Sequence, residues 1–432
     1  MNNPLRKNTL FILFIALFFP LTTFASEGNN LLNAWAESAK TALGFFWKAG
    51  WAFVLGYIVS AAIQVFVPKK KLTAHMGDSN VKSVSLSTFF GAISSSCSFA
   101  ALATARSLFL KGAHFVSTVA FMFASTNLVI ELGILIFIFL GWEFIAAEIV
   151  GGIILIIISS VLIKLTFPKK MIEKAREKVE RESLEEEDFD WKKRIKSKEG
   201  WYMVGEKFVM EWKMAWKDIL IGFTIAGFVS VLVPTSFWES IFLNDYQGQL
   251  PDFLISLENA LVAPFVAAAT FIGSMGNIPL ATVLNENGIL FAGLMGFIYS
   301  DLMVPPLVNM NRKYYGLKVA LYISGIMYVS IVLTALILNY GFELLDILPE
   351  GSRQVSEMTQ FEIDYTFYFN IVFVLFAALM LYFNYLTKRI KEEKSGGHGH
   401  DHGQKKGLSI KMGIVYFCIA VVSIGMIIKL FL

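Results

Sequence analysis

FGAISSSCSFAALATARSLFLKGAHFVSTVAFMFASTN, residues 90–127, decides how this chain is read. A relative of it, FVAAATFIGSMGNIPLATVLNENGILFAGLMGFIYSD, occupies residues 265–301. Both stretches are apolar enough for a bilayer. Both are nevertheless interrupted by Gly, Ser, Asn and Pro where a lipid-facing helix would carry Leu and Val. Hydrocarbon offers no partner to backbone freed by such interruptions, so it must be satisfied by protein or by a water-filled cavity. The two stretches therefore read as the walls of a transport site.

The rest of the chain agrees with a membrane setting. Of its 432 residues, 56% are hydrophobic and 16% charged, and the mean hydropathy is +0.60, far more apolar than a soluble domain. Apolar runs recur at about twenty residues, the length of a membrane helix rather than the roughly ten-residue alternation of a barrel strand. The fold class is thus all-α, a polytopic membrane protein. A net charge of +3, with basic residues in short loops beside the spans, points to topology and anionic lipid headgroups, so the partners expected are membrane lipid and a small-molecule solute, and no nucleic acid. Cys97 and Cys418 each lie inside an apolar run, so no disulfide framework can be argued.

Loop charge orders the segments. Residues 1–25 have the form of a signal peptide ending at Ala25, or of a first span, and both readings place Ser26 outside. A span at about 42–67 ends on the basic stop PKKK, residues 68–71. The charged segment 168–200 is likewise cytoplasmic. Between these two landmarks the crossings must be even in number, yet three apolar segments lie there, at about 84–107, 114–140 and 143–166. The serine-rich first one is assigned as a re-entrant hairpin.

The second half repeats this logic with spans at about 218–233, 288–306 and 317–340 and a re-entrant segment at about 256–284. An acidic external loop, 341–363, and two further spans within 364–432, separated by a His-rich cytoplasmic loop at 395–407, complete the chain. Residues 42–167 and 201–340 thus read as two transmembrane repeats of opposite orientation, an inverted-topology repeat. Leu102-Ala103-Thr104 parallels Leu280-Ala281-Thr282. In transporters, paired interrupted helices of this kind build the solute site near the midplane.

Several residues are candidates for that site. Cys97 is a soft ligand for soft metals or metalloids, and Ser96 and Ser98 beside it can replace lost hydration or cap helix ends. The same cluster also reads as a small-residue packing face. Asn127, Glu131 and Asp301 are polar or ionisable groups within apolar runs, where such groups face a cavity or a partner. Glu131 stands four residues after Asn127, on the same face of a continuous helix. Either Glu131 or Asp301 can carry a coupling proton; a structural ion pair is the other reading. Gly273-Ser274-Met275-Gly276-Asn277, with Pro279 just after, marks the tip or break of the second hairpin, where exposed backbone at Ser274 and Asn277 can meet solute. Lys48, Glu143 and Glu148 read as interfacial anchors.

His398, His400 and His402 could bind a divalent metal weakly in a flexible loop, giving a metal-efflux reading. A third reading is a non-transporting scaffold that docks a partner through 168–200. No P-loop, HExxH or GxSxG is present, so neither an enzyme nor a cofactor is indicated.

SSSCSFAALATARSLFLKGA, FMFASTN, GSMGNIPLATVL and DLMVPP together resemble the predicted-permease family that includes the trivalent organoarsenical efflux permeases, over most of residues 42–340. Members of that family commonly carry Cys-Ser-Cys-Gly, then Pro and a basic-Gly turn. By that resemblance Cys97-Ser98 match the first Cys and Ser, and Arg106 with Lys111-Gly112 match the turn. Phe99 stands where the second Cys would be, and Ala100 stands for the Gly. The resemblance implies a secondary permease of the cytoplasmic membrane working in efflux, with Cys97 in its site.

Overall fold

The structure is a computed structural model that describes residues 28–66, 76–94, 98–110, 112–179, 191–349, 354–394 and 410–431. Among these residues there are helices and no strands. Among the described residues, eight helices are long and apolar enough to cross a membrane, or nine if one bent pair counts as a single span. The protein is an all-α, multi-pass integral membrane protein.

The same order of elements occurs twice. In the first half, a long helix α1 (Gly28–Phe66) is followed by a hairpin of α2 (Val81–Ser94) and α3 (Ser98–Leu110). An interrupted helix, α4 (Phe115–Asn127) and α5 (Ile130–Phe139), and a long helix α6 (Trp142–Thr166) complete it. Two short charged helices, α7 (Lys169–Val179) and α8 (Trp191–Lys196), lead to the second half. There, α9 (Lys198–Leu232) and the short α10 (Thr235–Ile241) precede a hairpin of α11 (Asp252–Thr270) and α12 (Ser274–Glu286). The interrupted pair α13 (Phe291–Ile298) and α14 (Pro305–Tyr315) and the long helix α15 (Leu317–Leu344) follow. Beyond these come α16 (Val355–Met358) and two outlying helices, α17 (Tyr365–Lys394) and α18 (Ile410–Phe431).

Both long leading helices start earlier than the apolar runs suggest. Helix α1 begins at Gly28 rather than near residue 42, because no Gly or Pro stands in 29–41 and its extension is held by α18. Trp35 Nε1 donates to the Val421 carbonyl at 2.9 Å, and Glu37 pairs with Lys429. Helix α9 begins at Lys198 rather than near 218. Ser197 caps it, accepting from the Gly200 N–H at 3.0 Å, and its first turns pack on α17 through Thr387, which donates to the Tyr202 carbonyl at 2.8 Å.

The two long helices pack against each other. A Cβ on Gly227 of α9 would lie 2.5 Å from the Ala42 backbone nitrogen of α1, a spacing only glycine permits. Phe45, Phe139 and Phe223 join α1, α5 and α9 with ring centroids 5.6 to 6.3 Å apart. In each half the first arm of the hairpin also packs on the interrupted helix through a glycine. A Cβ on Gly91 would meet the Phe121 carbonyl at 2.5 Å, and one on Gly293 would meet Asn259 Oδ1 at 3.0 Å.

Helix α17 is tied on by charge. Lys48 donates to Asp364 Oδ2 at 2.8 Å, so Lys48 is an ion-pair partner rather than a free interfacial anchor. Partial burial raises the Asp364 carboxyl, but the Lys48 ammonium and the Thr366 N–H outweigh it and hold the group below its ordinary value. A carboxyl lowered on folding stabilises above its unfolded pKa, and that stabilisation disappears as pH falls through the folded value. The thermal midpoint of wild type should therefore exceed that of Asp364→Asn by a constant amount at neutral pH. The difference should shrink below about pH 4, as a pH series on both proteins would show.

Candidate functional site

The interruptions create the site. At the second hairpin, Phe271 adopts a left-handed conformation (φ 56°), and residues 271–273 separate α11 from α12. Thr270 Oγ1 accepts from the Ile272 N–H at 3.2 Å, and Asn277 Nδ2 donates to the Ile272 carbonyl at 3.2 Å, so side chains replace the lost helical bonds. The break thus precedes Ser274, and 274–277, expected at the tip or break, form the first turn of α12, with Pro279 following inside the helix. Lacking an N–H, Pro279 leaves the Met275 carbonyl without its helical donor.

In the interrupted helix that follows, α13 runs into a 3-10 turn, Tyr299–Met303, and Pro305 and Pro306 then open α14 at a bend of 41°. Asp301 sits on this turn, 1% exposed. Its Oδ2 accepts from the Ser98 hydroxyl at 3.0 Å, while its Oδ1 has no partner. Ser98 is the first residue of α3 and Ser274 the first of α12. Both line one cleft, and Ser274 also lies beside the Asp301 carboxylate. The N-termini of the two hairpins' second arms therefore converge on a single place, where their positive dipole ends favour negative charge. The cleft is lined further by the thioethers Met214 and Met275, and Lys411 and Asp218, paired at 2.6 Å, stand at its wall. Tyr57 Oη donates to Met275 Sδ at 3.2 Å, fixing one of these soft donors.

The remaining candidates are buried but do not line the cleft. Asn127 donates to the Phe123 carbonyl at 3.1 Å and to Thr126 Oγ1 at 3.3 Å, and its Oδ1 is unpartnered, as is that of Asn277. Glu131 does not share a helix face with Asn127, because the helix is interrupted at Leu128 and Val129. Its side chain lies against α1, where a Cβ on Gly56 would meet Glu131 Cγ. Ser96 and Cys97 lie outside the described residues, as do His398, His400, His402 and residues 1–25. Cys418 is buried with Ile221, Ile272 and Val415, an apolar packing position.

Glu148 departs from its expected interfacial place. It is 2% exposed in the second turn of α6, and neither carboxylate oxygen has a hydrogen-bond partner. Tyr299 packs beside it, donating to the Ala147 carbonyl at 2.8 Å, in space kept open by Gly151, where a Cβ would collide with the phenol. The buried positions of α6 carried the signal. Phe144, Ala147, Glu148, Gly151, Gly152, Leu155, Ile156, Ser159, Ser160 and Ile163 recur at helical spacing, while bulky Ile149, Val150, Ile153, Ile157 and Val161 face outward. Small residues flanking a carboxylate on one face mark a helix contact in a membrane protein.

A family model described as "Predicted permease" matches residues 34–340. A Mycobacterium tuberculosis protein named "Putative permease Rv2963" is 36% identical over 329 residues, 73% of this chain and 79% of that protein. The Escherichia coli "UPF0718 protein YraQ" is 27% identical over 146 residues, 32% of this chain and 42% of that protein. No solved structure matches the chain.

Proposed function

The chain belongs to the predicted-permease family, which supports a transporter, and on that premise we propose a secondary active permease that exports a small, soft, thiol-reactive solute by alternating access. One observation carries this reading: Ser98 and Ser274, each opening the second arm of its hairpin, line the same cleft beside the buried Asp301. A site made of two helix N-termini and one carboxylate, contributed by both halves of the chain, is the form a solute site takes when two repeats rock against each other.

The repeated element order and the basic character of the loops at 68–71 and 168–200 support an inverted-topology repeat in the cytoplasmic membrane, with residue 26 outside. Met214 and Met275 in the cleft, and Cys97 one residue before Ser98 in sequence, favour a soft solute such as a trivalent organoarsenical.

The test is solute flux in proteoliposomes containing the purified chain, with phenylarsine oxide as the probe. Wild type should transport it. Cys97→Ser should reduce flux at low solute concentration roughly tenfold, equivalent to about 1.4 kcal/mol of lost binding, with the amount of inserted protein unchanged. Wild-type flux equal to that of empty vesicles would remove the arsenical assignment. Equal flux in the variant would remove Cys97 from the site.

A further inference from the structure

The proposed solute site leaves one buried acid without a role. Glu148 is 2% exposed and Asp301 1% exposed, and three of their four carboxylate oxygens, Glu148 Oε1 and Oε2 and Asp301 Oδ1, have no hydrogen-bond partner. Tyr299, whose hydroxyl meets α6 at the Ala147 and Glu148 carbonyls, stands two residues before Asp301 on the same 3-10 turn, so both acids belong to one contact between α6 and that turn.

Charge compensation around the pair is uneven. Asp301 has the Ser98 hydroxyl and the N-termini of α3 and α12. Glu148 has none of these, and the other elements packed on α6 do not supply a counter-charge. Helix α4 carries no ionisable side chain. On α5, Glu131 is turned to α1. On α15, Tyr322 is engaged with Thr166 and Tyr328 donates to the Leu261 carbonyl, while Lys318, Tyr340 and Glu343 lie toward the helix ends. The neighbouring Tyr299 spends its proton on the Ala147 carbonyl. Two buried carboxylates with no cationic partner are costly by several kcal/mol per charge, and one bound positive charge removes most of that cost.

We propose that Glu148 and Asp301 form the binding site of the coupling cation, a single proton or sodium ion held between the two carboxyl groups. This rests on the transporter reading and adds its driving ion. Solute entering beside Ser98 and Ser274 perturbs Asp301, and Asp301 in turn sets how tightly the shared cation is held. Solute and cation thereby exchange their effects through one residue, as site-to-site coupling requires.

The thermal midpoint of the purified full-length chain, measured across neutral pH in sodium chloride and in choline chloride, tests the site without any solute. A cation that binds only the folded state raises the midpoint with its concentration. Wild type should respond to acidity if the cation is a proton and to sodium if it is sodium. Glu148→Gln, an isostere that needs no counter-charge, should fold and lose that response. Asp301→Asn should lose it also, which keeps the test open if the first variant is not recovered. A wild type indifferent to both cations, or a Glu148→Gln protein that responds in full, overturns the proposal.

In proteoliposomes, Glu148→Gln should lower gradient-driven flux of phenylarsine oxide about tenfold, within the range spanned by coupling free energies, while solute-for-solute exchange persists. A structural lesion would lower both. Absence of wild-type flux would count against the exported solute and leave the thermal result to decide the cation site.

Discussion

Asp301→Asn is expected to abolish net solute transport while leaving the amount and the fold of the inserted protein unchanged. Asparagine has the shape of the aspartate and keeps an acceptor oxygen for the Ser98 hydroxyl, which stands 3.0 Å from Asp301 Oδ2. What the variant loses is the negative charge between the N-termini of α3 and α12. A buried charge with an unpartnered oxygen is a cost to the fold when no cation is bound, so in choline chloride at neutral pH its removal should hold or raise the thermal midpoint. A drop in flux of about two orders of magnitude, near the upper end of measured site couplings, together with an undiminished midpoint, would separate a role in transport from a role in stability. Flux within about twofold of wild type would show that the converging hairpin ends act without the carboxylate. Ser98→Ala is the companion variant. It removes the hydroxyl and keeps the charge, so it should weaken transport less than Asp301→Asn does.

The apolar runs made the helical class legible, and the Gly, Ser, Asn and Pro interruptions pointed to the breaks before Ser274 and around Pro305, because a lipid-facing helix has no use for them. Less could be read where a residue's meaning depends on a helix it meets far along the chain. Asn127 and Glu131 look like one face at a spacing of four, yet nothing in Leu128-Val129 announces the interruption between them, since neither residue is a helix breaker. Met214, Asp218 and Lys411 come to the cleft from α9 and α18, whose sequences read as an ordinary span and a terminal one. Glu148 was misplaced for a different reason. A carboxylate six residues from the start of α6, close to Glu143, has the appearance of a headgroup anchor, and only the alternation of small inward and bulky outward residues tells otherwise. In a membrane protein that alternation is inverted from soluble habit, because lipid takes the large aliphatic side chains and neighbouring helices take the small ones.

Close helix approach is also where the second large effect is expected. Gly222 of α9 faces the first turn of α12, and a Cβ there would lie 2.3 Å from the Gly276 carbonyl oxygen. Seen from the other side, a Cβ on Gly276 would lie 2.7 Å from the Asp218 carbonyl. These are backbone atoms and cannot rotate away, so the helices must separate to admit even one methyl group. Gly222→Ala should therefore destabilise by about 1–3 kcal/mol, as overpacking of a tight interior does. Gly325, within α15, has no heavy atom within 4 Å of the corresponding position. There Gly→Ala should stabilise, by about 0.5–1 kcal/mol, since only the helix propensity of the residue changes. The same substitution is thus expected to move the thermal midpoint in opposite directions at the two sites. Flux should follow the geometry, because α12 carries Ser274 and Met275 into the cleft. A displacement of its first turn widens the gap to Ser98, so Gly222→Ala should lose transport beyond its loss of folded protein, whereas Gly325→Ala should transport as wild type does. A Gly222→Ala protein with unchanged midpoint and flux would show that the first turn of α12 does not need its place against α9.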